Sequence, residues 1–335
     1  MEVFYPKYYE SFSCIADRCP DSCCKEWDVD VDSEATAYYR ALPGPLGDQL
    51  RQVLRDTEDG TVMTIEDGRC PMWRADGLCR IQAELGHDAL CQVCRQFPRL
   101  RHDYGTFAEL GLELSCPEAA RLILTAPYEP FLVRMEDGGE LPDYEEEAME
   151  ILLQTRREAL ELLGDPAFSV QEALILLYFH AHHAQAMLDG GEPPLLDPPQ
   201  ILSTARRLAQ PSDPAAILAF FLEELEILTP QWERLLGNPC PIRWNETFRN
   251  LARYFVERYW LQAVSDYDLL CRVKFILISC LLIRILGGDT VQTAQLYSKE
   301  IENSSENVDA LLDAAYAHPA FTDDRLLGLL LEDAK

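Results

Sequence analysis

The residues of this chain best suited to chemistry are its cysteines. Twelve are present, and nine of them lie between Cys14 and Cys116. Thiolates are soft ligands for zinc and for iron–sulfur clusters, so cysteines clustered in this way indicate a metal centre. The nine follow the pattern Cys14-x4-Cys19-x3-Cys23-Cys24, then Cys70, Cys79, Cys91-x2-Cys94 and Cys116.

Free buried thiols, disulfide bonds and metal ligation compete as explanations of these cysteines. Free thiols are ordinary core residues, but nine in one region exceed ordinary usage. Disulfides persist in oxidising compartments, whereas the N-terminal MEVFYPKYYESFSC has no basic stretch followed by an apolar one, as a signal peptide requires. We therefore expect a cytoplasmic protein with reduced thiols, and metal ligation is the favoured explanation.

The spacing of the cysteines favours an iron–sulfur cluster, with zinc as the alternative. Structural zinc sites use ligand pairs on tight knuckles, which suits Cys91-x2-Cys94. The adjacent Cys23 and Cys24 point in different directions in a helix or a strand, so they are hard to seat on one ion. A cubane cluster is larger and its corners diverge, so the two can serve different corners or two different centres.

Prolines and arginines accompany the cysteine motifs. Cys116-Pro117 predicts a helix that begins at the proline with Cys116 as its N-cap, where free N–H groups would stabilise a thiolate. Three arginines lie in CQVCRQFPRLRH (91–102), a basic island in an acidic chain. They are either ordinary surface residues or groups that compensate thiolate charge or capture a ligand carboxylate, namely Arg95, Arg99 and Arg101.

Composition restricts the class of partner. The 335 residues carry 57 Asp and Glu against 29 Lys and Arg, a formal net charge of -28. Such a surface repels phosphate backbones, so we expect no nucleic-acid partner, although a cationic client would be attracted. The longest apolar run, FILISCLLI (275–283), is much shorter than the roughly 20 residues of a membrane span, so it predicts a buried helix.

The predicted fold is mainly α. Residues 1–134 form a cysteine-rich metal-binding domain with short helices, one over Ser33–Arg55, and a small hairpin that pairs Thr61–Ile65 with Gly105–Leu114. MEDGGELP (135–142) reads as a linker, and residues 143–335 form a helical array. Helices are predicted there at Tyr144–Leu163, Val170–Leu188, Pro199–Leu208, Pro214–Leu228, Trp244–Val264, Tyr267–Leu286, Thr290–Asn303, Val308–Tyr316 and Asp323–Glu332.

Four motifs resemble those of the flagellin lysine-N-methylase family, a branch of the cysteine-rich proteins described as zinc- or iron-chelating. They are FSCIADRCPDSCCKEWDVDVD (12–32), CPMWRADGLCRIQAELG (70–86), CRQFPR (94–99) and LELSCPEAARLIL (112–124). A weaker similarity continues through WNETFRNLARYFVERY (244–259). Matched by position, the family's cysteines correspond to Cys14, Cys19, Cys23, Cys24, Cys70, Cys79, Cys94 and Cys116, and Cys91 is extra.

This resemblance implies transfer of methyl groups to lysine side chains of flagellin or another lysine-bearing protein. It also implies S-adenosylmethionine as the donor and a [4Fe-4S] cluster as the cofactor. The chain has neither the G-x-G-x-x-G fingerprint of a Rossmann-type donor site nor a C-x3-C-x2-C triplet. The alternative is a non-catalytic iron- or zinc-binding module.

Lysine methylation requires a neutral amine, and a free lysine has a pKa of about 10.4. A carboxylate in a water-poor pocket can take up the proton, and an aromatic ring can face a sulfonium cation. Beside the cysteine motifs the candidates are Asp28, Asp30 and Glu118 as catalytic groups, with Trp27, Arg95 and Arg99 as cofactor-binding groups. For each carboxylate, a structural role at a cap or turn is the competing interpretation.

Overall fold

The computed structural model describes residues 1–25, 27–193 and 197–332. The architecture is mainly α, as predicted: the described ranges contain sixteen α-helices and seven short strands. The strands are β1 Glu2–Tyr5, β2 Val29–Val31, β3 Leu54–Asp56, β4 Thr61–Met63, β5 Arg99–Asp103, β6 Phe107–Leu112 and β7 Leu132–Met135.

The strands form two separate sheets. One has the order β5-β6-β1-β7, in which β1 runs parallel to β6 and antiparallel to β7. The other has the order β2-β4-β3. The predicted pairing of Thr61–Ile65 with Gly105–Leu114 is wrong, because β4 pairs with β2 and β3 while β6 pairs with β5 and β1. β6 pairs with the adjacent β5 but also with β1 at the start of the chain, so proximity in sequence alone does not select its partners.

Six short helices support the cysteine-rich region: α1 Tyr8–Ser11, α2 Ser33–Ala41, α3 Gly44–Val53, α4 Arg80–Leu85, α5 Gln92–Gln96 and α6 Pro117–Thr125. The helix predicted over Ser33–Arg55 is broken in two after Ala41 because Pro43 cannot continue it. The turn also brings Gly47 so close to the Leu42 carbonyl that a Cβ would lie 1.8 Å from its oxygen, so only glycine fits there.

Ten further helices lie in the rest of the chain. They are α7 Glu146–Gly164, α8 Val170–Leu188, α9 Pro198–Leu208, α10 Ala215–Glu223, α11 Pro230–Leu236, α12 Glu246–Tyr259, α13 Leu269–Leu286, α14 Thr290–Tyr297, α15 Ser305–Ala317 and α16 Asp323–Leu331. The predicted helical array is therefore present. Three predicted helices end early as α-helices: α10 stops at Glu223, α12 passes into a 3-10 helix at Trp260–Val264, and α14 passes into a π-helical turn at Ser298–Glu302.

The core of the molecule surrounds α13, which is buried along nearly its whole length. In the described part of the chain, no helix is long and apolar enough to span a membrane. The main core also contains Phe12, Leu112 and Cys116. A smaller core lies between α2, α3 and the second sheet and includes Tyr39, Leu50 and Met72. The division at residues 134 and 143 stays a prediction.

Candidate cysteine centre

Backbone contacts bring distant cysteine motifs together. Cys14, Cys19, Cys23 and Cys24 lie on the segment between α1 and β2. The Cys70 N–H donates to the Cys24 carbonyl at 2.8 Å, which joins this segment to the CPMW turn. In that turn the backbone of Trp73 pairs with that of Cys79. The chain therefore folds these separate motifs onto one side of the small core.

Three of the cysteines are the N-cap residues of helices: Cys79 of α4, Cys91 of α5 and Cys116 of α6. The prediction for Cys116 is confirmed. Burial raises the pKa of Cys116 to about 11, and the N–H groups of Ala119 and Glu118 oppose that shift. Burial also raises the pKa of Cys79, and the hydrogen bond from the Gln82 N–H lowers it. Free helix N–H groups thus favour the thiolate that a metal needs.

A first sulfur set consists of Cys14, Cys19, Cys23 and Cys116. Burial is the largest cause that raises the pKa of Cys116, and the nearby Cys19 and Cys14 raise it further. Burial and Cys14 likewise raise the pKa of Cys19. The pKa of Cys23 is raised chiefly by its hydrogen bond with Cys24 and by burial, and then also by Cys14 and Cys116. These four sulfurs therefore lie within electrostatic reach of one another.

A second sulfur set consists of Cys24, Cys70, Cys79 and Cys91. Cys70 and Cys91 are buried in the small core, and Cys24 and Cys79 pack against it. Burial raises the pKa of Cys70 to about 12, with further contributions from Cys24, Cys79 and Cys91. Cys94 hydrogen-bonds to Cys91, and Cys23 and Cys24 also raise its pKa. Cys94 therefore lies between the two sets. Cys23 and Cys24 hydrogen-bond to each other, so they lie where the two sets adjoin.

All twelve cysteines are free thiols. Across the described ranges, no group of three or more His, Cys, Asp or Glu side chains converges closely enough to hold a single metal ion.

Two residues of the helical array hold the cysteine segments, and the sequence contained no signal for either. Gln295 on α14 donates to Asp21 at 3.0 Å and to the Ser115 carbonyl at 2.7 Å, so it joins the neighbours of Cys19 and Cys116. Lys299, on the π-helical turn, pairs with Asp21 at 3.2 Å and lies 5.5 Å from the centre of the Trp27 ring. Asp32 caps α2 and also accepts from the Gln92 N–H at 2.7 Å, which fixes the start of α5 beside Cys91.

Replacing Lys299 by methionine should lower the free energy of unfolding by about 2 kcal/mol. Complete loss of one partner from a buried ion pair costs about 3–5 kcal/mol, but Asp21 keeps Lys25 and Gln295 as partners. Urea denaturation measures the change. The control is Lys7→Met, whose exposed pair with Glu129 should contribute less than about 1 kcal/mol. Equal effects of the two substitutions would contradict this role for Lys299.

Most of the predicted catalytic and cofactor-binding residues have local partners. Asp28 accepts from the Ile65 N–H at 2.8 Å, and Glu118 pairs with Arg121 at 2.6 Å, whereas Asp30 is exposed on β2. Trp27 packs against the small core and faces the cation of Lys299. The two arginines are exposed, and Arg99 lies over the Phe12 ring at 5.1 Å. The catalytic and cofactor-binding roles of these residues stay predictions.

Three curated proteins from Salmonella match part of this sequence. The flagellar biosynthetic protein FliU of Salmonella muenchen is 30% identical over 147 residues, which is 37% of this chain and 78% of that protein. A lysine-N-methylase of Salmonella typhimurium is 32% identical over 135 residues. One of Salmonella choleraesuis is 31% identical over 132 residues.

The chain belongs to the flagellin lysine-N-methylase family. Each of the two lysine-N-methylases matches over 37% of this chain, and the match covers 33% of their own length. No protein-family model matches the chain, and no solved structure does. These relatives confirm the family resemblance, and the match covers most of the length of one of them, FliU.

Proposed function

We propose that this protein is a protein-lysine N-methylase whose client is flagellin or another lysine-bearing protein. S-adenosylmethionine is the proposed methyl donor, and a cysteine-ligated [4Fe-4S] cluster is the proposed cofactor. The observation that carries the proposal is the gathering of nine cysteines from separate segments into two adjoining sets, in a chain related to proteins named lysine-N-methylase. The net charge of -28 suits a client that presents cationic side chains.

The number of cysteines in each sulfur set supports a cluster as the proposed cofactor. Each set has four cysteines, and their thiols are free rather than oxidised. Cluster ligands sit at diverging corners, which suits the adjacent Cys23 and Cys24. Cys14, Cys19, Cys23 and Cys116 would hold one cluster. Cys24, Cys70 and Cys79 would hold a second, together with Cys94, which the family resemblance implies, or with its hydrogen-bonded neighbour Cys91. A bound cluster would supply cross-links between segments that bury few apolar side chains of their own.

The decisive experiment incubates anaerobically purified protein with S-adenosylmethionine and flagellin. We expect lysine side chains of flagellin to gain one-methyl mass increments, measured by mass spectrometry of its peptides. Reactions without donor or with norleucine-substituted flagellin peptides serve as controls. Protein that contains its full iron and sulfide but adds no methyl group would contradict the methylase and favour a non-catalytic metal-binding module.

A further inference from the structure

A cavity lies where α1, α6 and α12 meet, away from the cysteines. Its volume is about 270 Å³, and its walls include Tyr8, Tyr128, Asn250, Arg253 and Glu257. Ligand pockets for whole small molecules measure about 300–1,000 Å³, so this cavity suits one extended side chain rather than a nucleoside-bearing donor. Apolar wall area comes from Leu122 and Ile123 of α6.

Glu257 is the chemically unusual group of this cavity. Within the described ranges its carboxylate makes no hydrogen bond and no ion pair, although it is only partly exposed. Burial raises the pKa of Glu257 to about 8, and Glu109 adds to this, while Arg156 and Arg253 oppose it. The charged or titratable groups that lie around it are Lys7, Tyr8, His102, Glu109, Tyr128, Glu129, Arg156, Arg253, Tyr254 and Arg258.

The cation of Arg253 is already engaged by the cavity wall. Its guanidinium lies over the Tyr128 ring at 4.3 Å, and its Nη1 donates to Asn250 at 3.1 Å. Asn250 in turn donates to the carbonyls of Leu124 and Ala126 at the end of α6. The Nε of Arg253 is buried without a hydrogen-bond partner among the described residues, so it remains a donor for a ligand. The Glu257 carboxylate is the acceptor that the cavity offers, and the rings of Tyr8 and Tyr128 offer aromatic walls to a cation.

We propose that this cavity takes the side chain of the client lysine, and that Glu257 accepts the proton that its ammonium must lose. This inference rests on the proposed lysine methylation. The apolar wall of Leu122 and Ile123 fits the four methylenes of lysine. The Glu257 carboxylate fits the terminal nitrogen, because the other carboxylate of the wall, Glu129, is paired with Lys7. The sequence did not single out Glu257, because it is one of 57 acidic residues.

The first step is a proton transfer that needs no further reactant. The lysine ammonium gives one proton to the Glu257 carboxylate, which leaves a neutral amine and a neutral carboxylic acid. A carboxyl whose pKa lies near the working pH is suited to this exchange. The nitrogen lone pair then forms the N–C bond to the methyl of the proposed sulfonium donor, and the electron pair of the broken C–S bond stays on sulfur.

The cavity and the first sulfur set lie at opposite ends of α6. Cys116 caps the start of the helix, whereas Leu122, Ile123 and Ala126 line the cavity. At 1.5 Å per residue, Cys116 and Ile123 are about 10 Å apart along the helix axis. The sulfurs therefore set the position of a cavity wall rather than touch the bound amine.

The test measures binding of Nα-acetyl-lysine amide by calorimetry, with Nα-acetyl-norleucine amide as the matched compound that lacks the amine. We expect the wild type to bind the lysine compound and Glu257→Gln to bind it roughly tenfold to hundredfold more weakly. Ala126→Leu should also weaken binding because it fills the cavity with apolar carbon. The control Glu150→Gln removes one exposed carboxylate and should change nothing.

We expect Glu257→Gln to fold, and its melting temperature should depend on pH differently from that of the wild type. The native pKa of about 8 lies above the ordinary 4.5, so the unfolded chain binds fewer protons between these values and the wild type loses stability as pH rises through them. Glutamine lacks this loss, so the melting temperature of the variant should exceed that of the wild type near pH 8 and match it near pH 4.5.

The outcomes separate this inference from the proposed function. Binding that depends on Glu257, without any methyl transfer in the flagellin assay, supports the cavity and overturns only the methylase. Methyl transfer by Glu257→Gln at the wild-type rate overturns the role of Glu257 and leaves the methylase standing. Equal binding of the lysine and norleucine compounds, or binding of neither, also overturns the cavity.

Discussion

Cys23→Ser and Cys24→Ser are expected to remove iron from different sulfur sets although the two residues are adjacent. Each variant should retain about half of the wild-type iron and sulfide, because loss of one of four ligands releases a cluster while the other set stays complete. In Cys24→Ser, amide hydrogen exchange should also rise in α2 and α3, which pack in the small core with the second set. Cys23→Ser should leave those amides protected.

Iron and acid-labile sulfide per chain, with absorbance near 400 nm, measure this result. Cys240→Ser is the matched control, since Cys240 is exposed and far along the chain from both sets. Loss of the same iron by both variants would establish a single shared centre. Zinc in stoichiometric amounts without sulfide would show that the cofactor is not a cluster.

Arg156→Met is expected to lower the free energy of unfolding by about 3 kcal/mol or more. Arg156 on α7 makes two hydrogen bonds to Glu109 on β6, at 2.8 and 2.5 Å, and both side chains are buried. Removing the arginine leaves the carboxylate of Glu109 buried without its partner, which is the costly case for buried ion pairs. The methionine keeps most of the apolar volume, so a cavity contributes little.

Chemical denaturation measures this loss, and the neighbouring Arg157→Met is the control because Arg157 is exposed. The double variant Arg156→Met with Glu109→Leu should recover part of the stability, since it removes the unpaired charge. Arg156 also lowers the pKa of Glu257, so its loss should raise that pKa further. A single variant as stable as the control would mean that Glu109 finds another partner or is neutral.

The helices of this protein could largely be predicted from the sequence because they depend on local patterns. Apolar residues with helical spacing and end signals, such as the capping box of Ser169 and Glu172, locate α8 where it is observed. Errors occurred where a single residue interrupts a pattern, as Pro43 does, and where strands had several potential partners. Strand pairing depends on long-range contacts, which short sequence patterns do not specify.

The candidate cysteine ligands follow from residue type and spacing, whereas their neighbours in space could not be predicted. The tertiary structure brings Cys116 close enough to Cys23 to affect the pKa of Cys23, and it joins Cys24 to Cys70 by a backbone hydrogen bond. The supporting side chains Gln295 and Lys299 lie far from the motifs in sequence, so no local signal identified them.

The sequence by itself determined the helical character of this protein, its excess of negative charge and its supply of reduced sulfur, because these are properties of residue types and of neighbours along the chain. Only the tertiary structure decided which sulfurs lie close together and that the carboxyl of Glu257 has no hydrogen bond or ion pair within the described ranges. Glu257 is an ordinary helix residue until the fold buries it near Arg156, Glu109 and Arg253, because a pKa depends on burial and on charges close in space.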